Sequence, residues 1–217
     1  MAIQARLTSI NAGSLRELAI GDRTVQTGLF KTPLQGSTIV GVEGVEGDRI
    51  GSPKHHGGPD QAVYLYSEED IEFWRGQLAV ECGPGFFGEN LTLDRWWPDL
   101  RIGDRLVAGD VTLEITAPRI PCATLAARTG DPKFVRRFVE AARPGAYARV
   151  LMPGTLSPGD LFEVVLAPES HPTIGALFAL WHSDRSDLAL IRSALASPIG
   201  SRARGAFESW LQAAEGR

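Results

Sequence analysis

Alternating hydrophobic and polar residues mark the most regular predicted strand of the chain, between Val111 and Thr116. Val111, Leu113 and Ile115 alternate with polar residues, and the side chains of a strand point to its two faces in turn. The pattern therefore predicts a strand with one buried face. It ends at Pro118, because proline lacks the backbone N–H that continues a β-ladder.

Similar patterns predict the other elements. Strands are predicted at residues 2–10, 37–42, 62–66, 145–151 and 161–166. A helix is predicted after Ser67, with Ile71, Trp74 and Leu78 spaced to cover one face, and another is capped by Asp131-Pro132. Further helices are predicted near 173–182, 186–196 and 201–213. Gly103-Asp104 and Gly159-Asp160 are matching turn signals, each followed by a short apolar run. Repeated tight corners of this kind favour an antiparallel β architecture.

The order of these elements predicts the fold class and the domain organisation. Strand patterns dominate up to about Pro168, and helical spacing takes over after it. The expected fold is mainly β, in the α+β class, with a β-rich domain at 1–168 and a C-terminal unit of three helices at 169–217.

Composition restricts the possible functions. The 217 residues are 43% hydrophobic, which is enough for a sizeable core, and the net charge is −4. An acidic protein of this kind is not expected to bind nucleic acid mainly by neutralising its phosphates. Two cysteines are too few for a disulfide scaffold and fit a reducing compartment. With no secretory pattern at Met1–Arg6 and no apolar run long enough to span a bilayer, we expect a cytoplasmic protein without a membrane partner.

The strongest candidate for chemistry is Cys122, which follows Pro118, Arg119 and Pro121. The prolines hold the chain extended as it leaves the strand, and the sequence after Cys122 predicts a short helical turn. A sulfur beside an arginine and a helix start favours the thiolate, which binds soft metals or attacks electrophiles. The alternative is a small buried hydrophobic residue. Cys82 has no evident partner, and we expect a structural role for it.

A second candidate is the glycine-rich segment from Lys54 to Asp60. Gly57 and Gly58 allow close approach of the backbone to a ligand, and their N–H groups suit an anion. A plain turn is the alternative. His55 and His56 are adjacent, but they lack the spacing and the cysteine partners of a zinc site.

Two further polar residues are candidates for binding. Lys31 precedes Thr32-Pro33, so its cation sits on a stiff extended segment and can project into a cleft, or it is a solvated surface lysine. Asn90 can donate and accept hydrogen bonds at once, which suits the edge of a heterocycle, or it caps a turn or strand.

Taken in order, the motifs resemble those of the MOSC domain family, named for the C-terminus of molybdenum-cofactor sulfurase, and more narrowly its bacterial YiiM-type subgroup. The motifs are Lys31-Thr32-Pro33, Glu46-Gly47-Asp48, His56-Gly57-Gly58-Pro59-Asp60, Phe87-Gly88-Glu89-Asn90-Leu91, Gly103-Asp104, Pro118-Arg119-Ile120-Pro121-Cys122 and Gly159-Asp160. The resemblance covers residues 1–168, and residues 173–211 are similar to the three-helix extension of that subgroup. His55 departs from the subgroup, in which an apolar residue usually precedes the motif histidine.

The resemblance implies a β-barrel that binds the molybdenum cofactor, with Cys122 as the sulfur ligand of the metal. It also implies reduction of N-hydroxylated compounds such as hydroxylaminopurine bases, with electrons from a separate flavin-dependent reductase. Pterin and phosphate would be held by Lys31, His56, Gly57, Gly58, Asn90 and Arg119. Protons would come from water, from His56 or from an acid. No pyridoxal phosphate site is expected.

Two other functions are compatible with this resemblance. MOSC domains also occur in sulfur carriage, where Cys122 would bear a persulfide. The chain would otherwise be a module that binds the cofactor or a partner without catalysis, docked through its C-terminal helices.

Overall fold

The computed structural model describes residues 2–51 and 57–216. The strands are β1 (Ile3–Ala12), β2 (Arg16–Ile20), β3 (Arg23–Thr27), β4 (Thr32–Pro33), β5 (Thr38–Gly41), β6 (Gly44–Val45), β7 (Val63–Ser67), β8 (Leu91–Leu93), β9 (Arg105–Ala108), β10 (Val111–Pro118), β11 (Ala146–Met152), β12 (Gly154–Leu156) and β13 (Leu161–Val165). The helices are α1 (Glu68–Arg75), α2 (Ala123–Thr129), α3 (Phe134–Ala141), α4 (Ile174–Trp181), α5 (Leu188–Ala196) and α6 (Ser201–Glu215), with a 3-10 helix at Pro59–Gln61.

The centre of the molecule is a closed β-barrel. Strands β13, β9, β10, β11, β7, β8 and β1 pair in this order, and β1 pairs back with β13 through Ile3 and Val164. In the described part of the chain β7 and β8 are parallel, while the other pairs are antiparallel. The structure therefore confirms a mainly β, barrel-like α+β fold. Closure leaves no unpaired edge along these seven strands.

The predicted strand at residues 111–116 is β10, which pairs with β9 and β11 and ends at Pro118. Gly103 and Gly159 adopt φ angles of +89° and +103°, which glycine reaches without steric cost. Each lies directly before a barrel strand, β9 or β13. The two Gly-Asp signals thus start strands, as the sequence predicts.

Local signals also place the helices, with two small differences. Ser67 caps α1 by accepting a hydrogen bond from the Asp70 backbone N–H at 3.1 Å, but the helix ends at Arg75, so Leu78 is not on its face as the spacing suggested. Helix α3 begins after Lys133, and Asp131 accepts a bond from the Lys133 N–H instead of capping the helix itself. No helix within residues 2–51 and 57–216 has the length and apolar character needed to cross a membrane.

Two hydrophobic clusters fill the interior. The larger joins the barrel interior to helices α4, α5 and α6, with Leu7, Leu113 and Leu177 in one continuous contact network. The smaller is rich in aromatic side chains and packs α1, α2 and α3 against β7; it is called the aromatic cluster below, and its members include Tyr64, Trp74, Phe87 and Cys82. The division at residue 168 remains a prediction, since barrel and C-terminal helices share one core.

Candidate functional site

A cleft of about 740 Å³ opens where β10 ends, between the barrel and the C-terminal helices. Lys31, Gly57, Asn90, Arg119 and Cys122 all line it, although they are widely separated in sequence. Gly58 is exposed and lies just outside the lining, as the residue before the 3-10 helix. His56 lies outside the described residues. The structure therefore brings five of the seven candidate residues to one cavity.

Cys122 is the residue before the first turn of α2, with an extended backbone (φ −131°). Its side chain is half-buried and faces the cleft, unlike a fully buried structural cysteine. Arg119 lies close enough for the sulfur to influence the pKa of its guanidinium. A neighbouring guanidinium favours a thiolate, because it stabilises the negative charge on sulfur. The rigid Pro118–Pro121 segment thus delivers a thiol and a cation to the same cavity.

Arg119 is deeply buried, with 5% of its surface exposed. It donates to the Tyr147 hydroxyl at 3.4 Å, and its guanidinium carbon lies 4.7 Å from the ring centroid of Tyr64. Burial alone would lower the pKa of Arg119, but Tyr147, Tyr64 and Cys122 together raise it above its usual value. Its Nε has no hydrogen-bond partner among the described residues. A buried donor without a partner is costly unless a ligand or water satisfies it.

Lys31 forms a buried ion pair with Asp48, and the two side chains are 7% and 10% exposed. Burial lowers the pKa of Lys31 despite the attraction of Asp48. Asp48 also accepts bonds from the Gly13 N–H and the Asn90 side-chain amide, each at 2.9 Å. Lys31 is therefore neither a solvated surface residue nor an isolated cation. Its ammonium is oriented by a carboxylate that the sequence showed only as part of a turn.

Asn90 is tied into the protein on both sides of its amide. Its oxygen accepts from the Tyr64 N–H at 3.2 Å, and its nitrogen donates to Asp48 and, at 3.3 Å, to the Asn11 carbonyl. The amide protons are thus used within the protein. This geometry suits a residue that holds Asp48 in place better than one that reads the edge of a ligand.

Two glycines let the chain approach these cations closely. Gly85 has φ +83°, and a Cβ there would lie 2.7 Å from the Lys31 carbonyl oxygen. Gly88 has φ +82°, and a Cβ there would lie 2.5 Å from Leu29 Cδ1 and 3.8 Å from Arg119 Nη1. Any larger residue would push this loop away from the cleft. Gly85 and Gly88 are therefore required by packing behind the site.

Glu89 is a buried acid that sequence reasoning did not single out. It is fully buried, and one carboxyl oxygen accepts from the Gly85 N–H and the Thr92 hydroxyl, while the other has no partner among the described residues. Burial raises the pKa of Glu89 to about 7. Its charge is felt by Lys31, Arg119 and Arg128, so it lies directly behind the cleft. Only the tertiary structure shows this, because the neighbours of Glu89 in the sequence do not reveal that it is buried.

The charges that line the cleft are strongly unbalanced. The described lining residues include five cations and one acid: Arg23, Lys31, Arg49, Arg119 and Arg202, against Asp48. The whole chain carries a net charge of −4, so this cleft is positive on an otherwise acidic protein. A concentration of cations in a partly enclosed site attracts anionic ligands.

The barrel and the cleft together define a class of protein, namely a β-barrel with a cationic, thiol-bearing site at one end. The chain belongs to the MOSC domain family, whose model matches residues 52–163. Over 203 residues it is 30% identical to the uncharacterised protein YflK of Bacillus subtilis (strain 168), a match that covers 93% of this chain and 89% of YflK.

Two more relatives refine the comparison. The crystal structure of YiiM from Geobacillus stearothermophilus superposes with a TM-score of 0.78 and 26% identity, covering 95% of this chain and 99% of that one. A Gibberella moniliformis protein named Reductase is 31% identical over 167 residues, which are 75% of this chain but only 29% of that longer protein. The similarity to YiiM over nearly the full length of both chains makes this a YiiM-type MOSC protein.

MOSC domains are associated with binding of the molybdenum cofactor. The residues present in the cleft fit such a group. The unpartnered Nε of Arg119 and the excess of cations suit an anionic, phosphate-bearing molecule, and Cys122 offers the soft sulfur that a thiophilic metal prefers.

Proposed function

We propose that this protein is a molybdenum-cofactor-dependent reductase of N-hydroxylated compounds, such as hydroxylaminopurine bases, and that it detoxifies them in the cytoplasm. The observation that carries the proposal is the shared cleft of Cys122 and Arg119, in which a half-buried thiol lies beside a buried guanidinium with an unpartnered Nε. Membership of the MOSC family supports the cofactor. Two thiols, Cys82 and Cys122, fit a reducing compartment.

Each residue of the cleft has a defined task in this proposal. Cys122 provides the sulfur ligand, and Arg119 binds anionic oxygens of the cofactor with its remaining donors. Lys31 contributes a second cation, whose direction is set by Asp48, and Asn90 holds that carboxylate in position. The backbone N–H groups of Gly57 and Gly58 are the proposed anion-binding amides. When bound, the cofactor supplies the two-electron redox chemistry that removes the oxygen of an N–OH group.

The reaction also consumes protons, and the source of these protons determines its pH dependence. His56 and water remain the proposed donors at the substrate. Glu89 has a pKa of about 7, which suits proton exchange at neutral pH, but its carboxyl is fully buried and does not line the cleft. We therefore assign Glu89 to the electrostatics behind the site instead of direct proton delivery.

Electrons are proposed to come from a separate flavin-dependent reductase. The relative named Reductase supports this proposal, because the region similar to this chain makes up only 29% of that protein. That longer protein joins a region similar to this chain to other sequence. Its name is consistent with a redox partner that supplies electrons to a domain of this kind.

The test begins with protein produced in a host that makes the molybdenum cofactor. We expect about one molybdenum and one pterin per chain, measured by elemental analysis and pterin fluorescence, and reduction of 6-hydroxylaminopurine when a flavin reductase and NADH are supplied. Metal-loaded protein that reduces no N-hydroxylated compound with any reductase would contradict the proposal. Such a result would leave a cofactor-binding module without catalysis.

Sulfur carriage is the second candidate, and the accessible thiol of Cys122 beside Arg119 favours it. In that case Cys122 bears a persulfide for delivery to a metal centre. Freshly purified protein would then contain sulfur that cyanide releases, without stoichiometric molybdenum. The same metal analysis therefore separates the two functions.

A further inference from the structure

The C-terminal helices form one wall of the cleft. Trp181 at the end of α4, with Ala203 and Phe207 of α6, lines the cavity together with residues of the barrel. Apart from Arg202, which donates to the Gln61 side chain at 2.9 Å, this helical wall is apolar, whereas the floor carries Lys31 and Arg119. The cleft thus has two chemically different parts, one suited to an anionic group and the other to a flat apolar group.

The helical wall is fastened to the barrel beside the glycine segment. The Ser201 N–H at the start of α6 donates to Asp60 at 2.8 Å, and the Gly200 N–H donates to the Thr116 carbonyl at 3.0 Å. Arg149 on β11 bonds both Asp60 and the Pro198 carbonyl, at 3.0 and 2.9 Å. Asp60 is therefore shared by the barrel, the 3-10 helix and α6. These bonds hold wall and floor at a fixed separation, as selection by shape requires.

Trp181 is the large planar residue of this wall. Its ring packs against Trp210 at 5.0 Å in an edge-to-face arrangement and against Phe207 at 6.0 Å. It is half-buried, so part of its surface remains available to the cleft. Trp210 shares the same packing but is not among the described lining residues. An indole fixed by its neighbours loses little conformational freedom on stacking with a ligand.

We propose that Trp181 is a specificity-determining residue that stacks with the ring of a nitrogen-heteroaromatic substrate, so that such substrates are preferred over aliphatic N-hydroxy compounds. Cations on the floor attract any anion and cannot make this distinction. A base stacked on an aromatic side chain gains affinity whatever its hydrogen-bonding pattern. The inference rests on the proposed function for the reaction, but the binding of an unreactive base tests it separately.

The binding experiment uses the full chain and adenine, which lacks the reducible N–OH group. Calorimetric titration compares the parent with Trp181→Ala, Trp181→Phe and Trp210→Ala, after thermal unfolding has shown that each is folded. We expect Trp181→Ala to bind adenine about tenfold more weakly, the size of one lost stacking contact. Trp181→Phe should retain most of the affinity, and Trp210→Ala should lose clearly less affinity than Trp181→Ala, because Trp210 supports the indole but does not line the cleft.

Inorganic pyrophosphate serves as the probe for the floor of the cleft. Trp181→Ala should bind it as the parent does, because the cationic residues are unchanged. A second pair of variants adds bulk on the same helix: Ala203→Leu in the wall and Ala213→Leu at an exposed position three turns away. Only Ala203→Leu should weaken adenine binding. This pair tests the wall without removing a packed aromatic residue.

The inference is overturned if the parent does not bind adenine, if Trp181→Ala binds it as tightly as the parent, or if Trp210→Ala loses as much affinity. Turnover then distinguishes the two proposals. Adenine binding that depends on Trp181, with no reductase activity, supports the stacking role of Trp181 and contradicts the proposed function. In the opposite case Trp181→Ala is an active reductase, and its ratio of kcat/KM for 6-hydroxylaminopurine over N-hydroxyurea equals that of the parent. This result supports the proposed function and contradicts the stacking role of Trp181.

Discussion

The cleft and the aromatic cluster behind it each contain one cysteine, in opposite environments. Cys82 is 2% exposed, and its sulfur lies 3.8 Å from the Ile71 carbonyl oxygen. Burial raises the pKa of that thiol. Cys122 is half-buried in a cationic cavity next to Arg119. The same side chain is thus a small hydrophobic residue in one region and a candidate metal ligand in the other.

The comparison shows that the two regions differ more in the charge of their buried side chains than in how deeply those side chains are buried. Most buried members of the aromatic cluster are apolar or aromatic, whereas the cleft holds the Lys31–Asp48 pair and Arg119 at almost the same burial. Burying charges costs free energy that packing alone does not recover. A site that retains them therefore points to ligand binding, since a ligand can satisfy the donors that the protein leaves open.

The largest expected effect separates the two cysteines by function. Cys122→Ser replaces a soft thiolate by a hydroxyl that is much harder to ionise, so molybdenum content and molybdenum-dependent turnover should fall by more than about 100-fold. Cys82→Ser should remain near the parent level in both. Metal analysis, thermal unfolding and turnover are measured on the same preparations. A folded Cys122→Ser that keeps full molybdenum-dependent turnover would require the sulfur-ligand assignment to be withdrawn.

The next effect concerns the ion pair, which has no counterpart among the described members of the aromatic cluster. Lys31→Met leaves the Asp48 carboxylate buried without its cation, and the free energy of unfolding should drop by about 3 kcal/mol. The double variant Lys31→Met, Asp48→Asn removes both charges and should recover most of that loss. Urea unfolding of both single variants and the double variant checks this. Equal and additive losses would show that the two side chains are not coupled.

A smaller difference is expected in the reactivity of the two thiols. Iodoacetamide should alkylate Cys122 at least about 100-fold faster than Cys82, because labelling of a buried residue waits for local opening of the structure. Peptide mass spectrometry over a time course gives both rates in one sample. Denatured protein, in which the two rates should converge, is the control. Comparable rates in the folded protein would erase the proposed contrast between the two regions.

The smallest effect involves Glu89, which interacts electrostatically with both regions, including Lys31 and Cys82. Burial raises the pKa of Glu89 from 4.5 to about 7, so the folded state holds this proton more tightly than the unfolded state. Stability from this group is therefore fully present below pH 4.5 and is lost as the pH rises through 7. Glu89→Gln should remove this loss. Thermal unfolding of both proteins between pH 5 and pH 8 tests the difference, and parallel pH profiles would contradict it.

The sequence predicted most of the local structure. The alternation from Val111 to Ile115 marks β10, Ser67 caps α1, and the glycines at 103 and 159 lie in the turns that precede β9 and β13. These signals work because side-chain direction, capping and φ angles depend on neighbours within a few residues. The ends of α1 and the start of α3 were less accurate, since tertiary packing decides where a marginal turn of helix continues.

The sequence also named residues that the cleft contains, but not what surrounds them. Lys31, Gly57, Asn90, Arg119 and Cys122 were chosen from local chemistry and resemblance, and they meet in one cavity. Their roles remain predictions, and His56 lies outside the described residues. The ion pair of Lys31 was not foreseen, because its partner Asp48 belongs to a different turn of the chain.

What the sequence determined by itself is therefore most of the barrel strands and helices, the fold class and the thiol after two prolines. Tertiary structure alone decided the closure of β1 on β13, the burial that moves the pKa of Glu89 to about 7, and the meeting of Trp181 and Arg119 in the lining of one cleft. The physical reason is the distance along the chain over which each effect acts. Patterning and capping act over one or two turns, whereas burial, electrostatic coupling and cavity shape depend on residues that meet only when the whole chain has folded.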